Sequence, residues 1–196
     1  MPTDSTLDST RIMPPGPFLG RRIELAQLCR AVEEARLGRG ARLWLAGSQG
    51  VGKSRLLAEI ARYAAWRDVR VDSVDSGQDP LAPPLRSGPS LLIVDPVAPT
   101  QVPAVDERLC RAANVAVLGL ATTSSAYRCL QAGIPKAALI AVTGLDSAEA
   151  FQLLEAWLGS ALDPVWADSL VRSTHGHPGR MRDAAERFLA LARGEG

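Results

Sequence analysis

The chain has little of what metal centres, disulfide frameworks and membrane spans are made of. Its 196 residues include only two histidines and three cysteines, without metal-ligand spacing. The cysteines, Cys29, Cys110 and Cys129, are odd in number and far apart, which favours reduced thiols and a cytoplasmic location. The longest apolar runs have the length of strands, well short of the roughly 20 residues that a membrane-spanning helix needs. The polar, proline-rich N-terminus has no apolar core like that of a signal peptide.

A strong excess of charge is also missing. The chain has 22 basic and 21 acidic residues and a formal net charge of +1. Such a balance does not concentrate nucleic acid or anionic membrane, so it does not support DNA binding, although local basic patches leave DNA possible. Hydrophobic residues make up 46% of the chain. This composition is typical of a globular domain, with enough residues for one core and a small appended subdomain.

Strand-like and helix-like segments alternate through most of the chain. This alternation predicts an α/β fold with a parallel five-stranded sheet flanked by helices. From Asp146 onward only helices are predicted. The expected domains are a disordered segment (1–17), a main domain (18–145) and a helical, lid-like subdomain (146–196). The predicted strands are 42–46, 69–75, 90–95, 115–121 and 137–144, with helices at 21–37, 53–66, 103–113, 125–133, 147–158, 163–174 and 178–193, and a proline-rich loop at 76–89.

Residues 47–54, GSQGVGKS, fit the phosphate-loop pattern G-x-x-x-x-G-K-[ST] at every fixed position. Glycines let the backbone turn its N–H groups toward phosphate oxygens, and the helix that follows adds its positive end. Lys53 is expected to reach the β and γ phosphates. A chance glycine turn and a loop that has lost its ligand are the alternatives. The nucleotide-binding residues predicted here are Gly47, Gly50, Val51, Gly52, Lys53, Ser54 and Arg55.

A magnesium nucleotide also needs a carboxylate at the end of a nearby strand. The apolar run SLLIVD (90–95) ends in Asp95, and we predict that Asp95 and Ser54 hold Mg²⁺. Lys53 and Asp95 are accordingly the predicted catalytic residues. The alternative is an ordinary strand that ends at a turn.

Three further segments, together with the phosphate loop, resemble the STAND class of signalling ATPases, close kin of the AAA+ proteins. FLGRRIEL (18–25) resembles the F-x-G-R-x-x-E-L segment that flanks the base and sugar, which implies a nucleotide-binding role for Arg21. Residues 139–159 resemble the passage from the last strand into the helical subdomain. THGHPGRM (174–181) resembles the G-x-P motif, which implies that Pro178 packs against the nucleotide. The resemblance implies a P-loop NTPase fold and ATP or ADP with Mg²⁺ as cofactors.

The sequence departs from the family pattern at several places. Pro96 follows Asp95, where many related ATPases carry a second acid that polarises the attacking water, so hydrolysis is predicted to be weak or absent. Thr122 and Thr123 stand where the resemblance implies a polar sensor, but the usual arginine does not follow directly and Arg128 lies further on. The loop at 76–89 replaces a longer segment. The chain is expected to be a fragment of a longer protein or a minimal member of the class.

Local signals near the C-terminal helices favour capping. Asp146 and Glu149 have the spacing of a capping box, and Pro178 suits the first turn of a helix. His175 and His177 are expected to be solvent-exposed caps rather than nucleotide contacts.

Three functions follow from these patterns. The first is an ATP- or ADP-binding switch module, bacterial and cytoplasmic, that controls oligomerisation or a protein effector and hydrolyses ATP slowly or not at all. The second is an active AAA+ ATPase that acts on DNA or protein and takes an arginine finger from a neighbour. The third is a scaffold that binds a protein partner and no nucleotide.

Overall fold

The computed structural model describes residues 16–75, 88–95, 115–121, 139–159 and 162–192. The predictions for residues 1–15, 76–87, 103–113 and 125–133 lie outside the described residues. The helices are α1 (Arg22–Arg36), α2 (Lys53–Trp66), α3 (Ser147–Leu158), α4 (Pro164–Thr174) and α5 (Pro178–Ala192). The strands are β1 (Arg42–Gly47), β2 (Arg70–Asp75), β3 (Ser90–Asp95), β4 (Val115–Ala121) and β5 (Leu139–Ala141).

The five strands form one sheet in the order β2-β3-β4-β1-β5, and every neighbouring pair is parallel. The predicted α/β fold with a parallel five-stranded sheet is confirmed. Because β4 lies between β1 and β3, and neighbouring strands are about 4.8 Å apart, β1 and β3 are separated by about 10 Å. The sheet therefore places the phosphate-loop strand and the Asp95 strand on either side of β4.

Strand β5 ends earlier than predicted. Its ladder ends at Ala141, whereas the sequence predicts a strand over 137–144, of which residues 137 and 138 lie outside the described part of the chain. The Val142 N–H still donates to the Ala46 carbonyl at 2.7 Å. Beyond this bond β1 turns into the phosphate loop after Gly47, so no partner backbone continues the ladder on that side.

Helices α1 and α2 pack against the sheet and against each other. Their buried faces follow the helical repeat, with apolar residues three or four positions apart. Each leucine, isoleucine or valine buried in this way contributes about 1.5–3 kcal/mol. The sheet side includes Trp44 and Leu45, both fully buried. The buried helix positions are Leu28, Ala31, Val32 and Ala35 in α1, and Leu56, Leu57, Ile60 and Ala64 in α2.

The chain divides into two compact units. The sheet unit is Arg21–Gly144, and the helical unit is Met1–Gly20 together with Leu145–Gly196. The helical unit has its own core of leucine, alanine, valine and methionine, in which Leu154 and Met181 are fully buried. No described helix combines the length and the apolar character needed to cross a bilayer.

The predicted capping box begins α3. The Glu149 N–H donates to Asp146 Oδ1 at 2.8 Å, and the Asp146 N–H donates to Glu149 Oε2 at 3.2 Å. Pro178 is the first residue of α5, as predicted. His177 caps that helix, because its Nδ1 accepts from the Arg180 N–H at 3.3 Å.

The prediction of two solvent-exposed histidine caps is wrong for one of them. His175 is exposed at the end of α4, but His177 is buried. His177 lies in the turn between α4 and α5, which is closed by the Gly176 carbonyl accepting from the Leu145 N–H at 2.8 Å. Gly176 has φ +65°, and a Cβ there would overlap the Leu145 carbonyl. The packing of this turn accounts for the burial of His177.

Candidate phosphate-binding site

The phosphate loop connects the end of β1 at Gly47 to the start of α2 at Lys53. Gly50 and Gly52 have backbone φ angles of +80° and +105°, which residues with a Cβ rarely adopt. Gly47 is needed for a different reason, since a Cβ there would overlap the Val142 carbonyl and lie 3.0 Å from Val51 Cγ1. The glycines of the motif thus permit both the turn of the loop and its close approach to the segment after β5.

Lys53 places a cation inside this loop. The residue is only 5% exposed, and its Nζ donates to the carbonyls of Gly47 at 2.9 Å and Ser48 at 2.8 Å. Burial of an ammonium group is costly unless hydrogen bonds offset the lost water, and these two carbonyls provide such bonds. Lys53 supplies a positive charge within reach of the loop backbone.

The start of α2 adds to the positive character of the loop. Gly52 is the N-cap, no side chain caps the helix there, and the first turn contains no acidic residue. The first N–H groups of a helix have no partner within the helix, and they carry the positive end of its dipole. A Cβ built at Gly52 meets nothing within 4 Å. Open space, a buried cation and an uncapped helix start together fit a phosphate group.

Ser54 and Arg55, the two residues that follow Lys53, have side chains in different surroundings. Ser54 is exposed in the first turn of α2. Arg55 is also exposed, and its Nε donates to Glu59 Oε1 at 3.0 Å. A phosphate contact by Arg55 would compete with this ion pair. The structure brings Lys53, Ser54 and the loop glycines together, whereas Arg55 is paired within its own helix.

Arg21 belongs to the sheet unit, and its side chain contacts the backbone of the phosphate loop. Its Nη2 donates to the Val51 carbonyl at 3.0 Å and to the Thr143 carbonyl at 2.5 Å, and its Nη1 pairs with Glu24 at 3.3 Å. The side chain is 7% exposed. The backbone of Arg21 is left-handed, with φ 61° and ψ 21°, a conformation that costs a residue with a Cβ about 1–2 kcal/mol. The bonds to the loop and to Thr143 are not predicted by the sequence.

Asp95 is the last residue of β3, and in the β2–β3 register it is opposite Asp75. Asp75 is not among the residues that the sequence predicts for the site, although both strands end in the dipeptide Val-Asp. The carboxyl ends of parallel strands meet at one edge of a sheet, so both backbone positions are on the edge from which the phosphate loop also leaves β1. Pro96, Thr122, Thr123 and Arg128 lie outside the described residues.

Pro178 belongs to the helical unit, where it is half-buried at the start of α5. The nucleotide contact implied for it stays a prediction.

An ionic cluster covers the surface where α1 meets α2, apart from the loop. Arg67 Nε donates to Glu33 Oε1 at 2.6 Å, and the Tyr63 hydroxyl donates to the same oxygen at 2.8 Å. These hydrogen bonds, first that of Arg67, then those of Tyr63 and Arg36, lower the pKa of Glu33 from 4.5 to about 2. The cluster joins the two helices that pack on the sheet, so its role is structural.

The profile of the AAA ATPase domain family matches residues 17–196. The chain belongs to this family. Its fold is similar to that of the Aeropyrum pernix Orc1 protein in complex with DNA, with a TM-score of 0.63 and 17% identity over 91% of this chain and 62% of that chain. It is also similar to domain III of the Thermotoga maritima replication initiation protein DnaA, with a TM-score of 0.55 and 15% identity over 93% of this chain and 92% of that chain.

A third similar structure is the E. coli MS115-1 HORMA:CdnC:Trip13 complex, with a TM-score of 0.60 and 16% identity over 89% of this chain and 83% of the matched chain. Identities this low show a shared AAA+ fold. The chain spans about 62% of the length of the Orc1 chain. No curated protein matches the chain by sequence.

Proposed function

We propose that this AAA+ domain binds ATP or ADP with Mg²⁺ and acts as a nucleotide-dependent switch of the STAND type, with weak or absent hydrolysis. The observation that carries the proposal is the complete phosphate loop with its buried cation. Lys53 Nζ lies within hydrogen-bond distance of two loop carbonyls, next to a helix start that no side chain caps. A phosphate bound here would be attracted by the full positive charge of Lys53 and by the positive end of the α2 dipole.

Magnesium would be held by Ser54 and Asp95 in this proposal. Ser54 is exposed beside Lys53, and Asp95 ends a strand two positions away from β1 in the sheet. Ser54 follows the loop that leaves β1, and Asp95 ends β3 at the same edge of the sheet. A hydroxyl and a carboxylate are oxygen ligands that Mg²⁺ would accept together with part of its water shell. The metal would offset charge on the phosphates; the chain would supply the binding and the orientation.

Weak hydrolysis is proposed because Pro96 follows Asp95. Proline has no acid with which to polarise an attacking water, and a general base contributes about 100-fold or more to such a reaction. A domain that binds ATP tightly and cleaves it slowly stays in its ATP state long enough to act on a partner. The proposed consequence of nucleotide binding is self-association or binding of a protein effector. The nucleotide would favour one of two conformations through contacts that differ between them.

The test is single-turnover cleavage of radiolabelled MgATP by the wild type and by Pro96→Glu. The wild type should bind MgATP and leave most of it uncleaved. Pro96→Glu should cleave it about 100-fold faster, because it restores an acid next to Asp95. The matched control is the double variant Pro96→Glu with Asp95→Asn, which should lose the gain. Wild-type turnover of about 10 s⁻¹, an ordinary enzymatic rate, would contradict the switch.

An active AAA+ ATPase acting on DNA or protein is the second candidate. It is supported by the fold likeness to an Orc1 protein in complex with DNA and to a chain of the HORMA:CdnC:Trip13 complex. The net charge of +1 argues against DNA. A labelled DNA duplex, titrated with the protein and MgATP at several salt concentrations, distinguishes action on DNA from action on a protein partner. Salt-dependent binding that strengthens with MgATP would favour this candidate.

A further inference from the structure

Arg21 stands at the point where the chain crosses from one unit to the other. The two units divide between Gly20 and Arg21 and again between Gly144 and Leu145. Arg21 is therefore the first residue of the sheet unit, and Thr143 is the second-last. The Arg21 guanidinium donates to the Thr143 carbonyl at 2.5 Å. One side chain thus joins the places where the chain enters and leaves the sheet unit.

The same guanidinium nitrogen reaches the phosphate loop. Nη2 of Arg21 also donates to the carbonyl of Val51, at 3.0 Å. Val51 is 1% exposed, and it precedes Gly52, the N-cap of α2. A planar guanidinium can hold two carbonyls from different segments in a fixed geometry, which an ammonium group does poorly.

Peptide geometry makes these two bonds a mechanical link. The Val51 carbonyl and the Gly52 N–H belong to one planar peptide group, so rotation that aims this N–H at a phosphate also moves the carbonyl that Arg21 holds. The Thr143 carbonyl and the Gly144 N–H likewise share one plane. The same nitrogen of Arg21 therefore holds one carbonyl in each of the two planes.

The helical unit holds the next residue on its own side. The Leu145 N–H donates to the Gly176 carbonyl at 2.8 Å, in the turn that precedes Pro178. A rotation at Thr143–Gly144 therefore acts on a residue that is bonded to the α4–α5 turn. The left-handed backbone of Arg21 is further evidence of constraint, because surrounding contacts must fix such a conformation.

We propose that Arg21 is a positioning residue that couples the phosphate loop to the Thr143–Gly144 segment, so that nucleotide binding is transmitted to the crossing into the helical unit. The inference rests on the proposed function. It differs from a nucleotide contact by Arg21, because the guanidinium is engaged by Val51, Thr143 and Glu24. A residue that only stabilised the fold would leave the response to nucleotide unchanged in any variant that folds.

Amide hydrogen exchange tests the coupling in the full chain. In the wild type, MgADP should slow exchange in residues 48–56, at the loop, and in residues 143–150, at the crossing. Arg21→Met should keep the slowing at 48–56 and lose it at 143–150. Arg21→Lys, which keeps the charge but holds the two carbonyls less well, should give a partial response at 143–150. The control Arg30→Met removes an exposed arginine of α1 and should respond as the wild type does.

Three outcomes decide the inference. Wild-type slowing at 143–150 in Arg21→Met would overturn it. If Arg21→Met does not fold, Arg21→Lys decides, and an undiminished response at 143–150 in that variant overturns the coupling. If neither MgADP nor MgATP slows exchange at 48–56 even in the wild type, the proposed function fails. The link is then tested without nucleotide. Arg21→Met must raise the exchange rate in both segments by about tenfold, which corresponds to the loss of one charge-assisted hydrogen bond in each segment. A rise in only one segment overturns the link.

Discussion

In a Lys53→Met variant, methionine keeps much of the side chain's length and removes its buried ammonium. In the free protein, two hydrogen bonds to the carbonyls of Gly47 and Ser48 are lost, and so is the cost of burying a charge. These effects oppose each other, so the free energy of unfolding should change by about 1 kcal/mol or less. For a chain of this size that corresponds to a Tm shift of about 2–4 °C.

Nucleotide affinity should respond much more strongly. A hydrogen bond to a charged group is worth about 1.5–3 kcal/mol, and the ammonium is expected to make two such bonds to phosphate oxygens. Their loss raises the Kd for MgADP by about 100-fold or more. Calorimetric titration measures the Kd, and thermal unfolding measures the Tm. The control Arg62→Met removes an exposed arginine from the same helix and should change neither. An unchanged Kd in Lys53→Met, or a Tm loss beyond about 10 °C, would refute the reasoning.

Three other variants test local features of the fold. Gly176→Ala should destabilise the protein by more than about 2 kcal/mol in thermal unfolding, because it adds an overlap with the Leu145 carbonyl to the cost of φ +65°. Asp146→Ala should cost about 1 kcal/mol in the same assay, because it removes the capping box of α3. Glu33→Gln should flatten the acid limb of the stability curve, because the hydrogen bonds of Arg67, Tyr63 and Arg36 together lower the pKa of Glu33 from 4.5 to about 2. This stabilisation is present above pH 4.5 and lost toward pH 2.

Each of these three predictions has a control variant or a result that would contradict it. Gly38→Ala, with φ +75° and nothing near its Cβ, should cost less than Gly176→Ala, and equal losses would refute the steric argument. Asp146→Asn, which can still accept the Glu149 N–H, should recover most of the loss. For Glu33, stability that still falls as steeply between pH 4.5 and pH 2 in the glutamine variant would mean that another carboxylate controls the acid limb.

Local patterns predict much of the fold. The continuous apolar run SLLIVD predicts β3, and the helix over Lys53–Trp66 begins and ends where the sequence indicates. The Asp146–Glu149 spacing predicts the capping box of α3. These features depend on residues a few positions apart, whose chemistry can be evaluated without the rest of the chain.

Long-range contacts are not predictable in the same way. The family resemblance implies a nucleotide contact for Arg21, whereas its guanidinium binds Val51, 30 residues away, and Thr143, 122 residues away. The burial of His177 depends on how the α4–α5 turn packs. The order of the strands, with β4 between β1 and β3, is likewise set by tertiary packing. The roles of Ser54, Asp95 and Pro178 at a nucleotide remain predictions.

The central claim is that GSQGVGKS still binds a nucleotide. The most direct test is to denature the purified protein, identify any released nucleotide by chromatography, and titrate the protein with MgADP and MgATP beside Lys53→Met. We predict one ADP or ATP per chain, or saturable binding of both ligands, and its loss in the variant. Release of no nucleotide, together with no binding by the wild type, would contradict the claim.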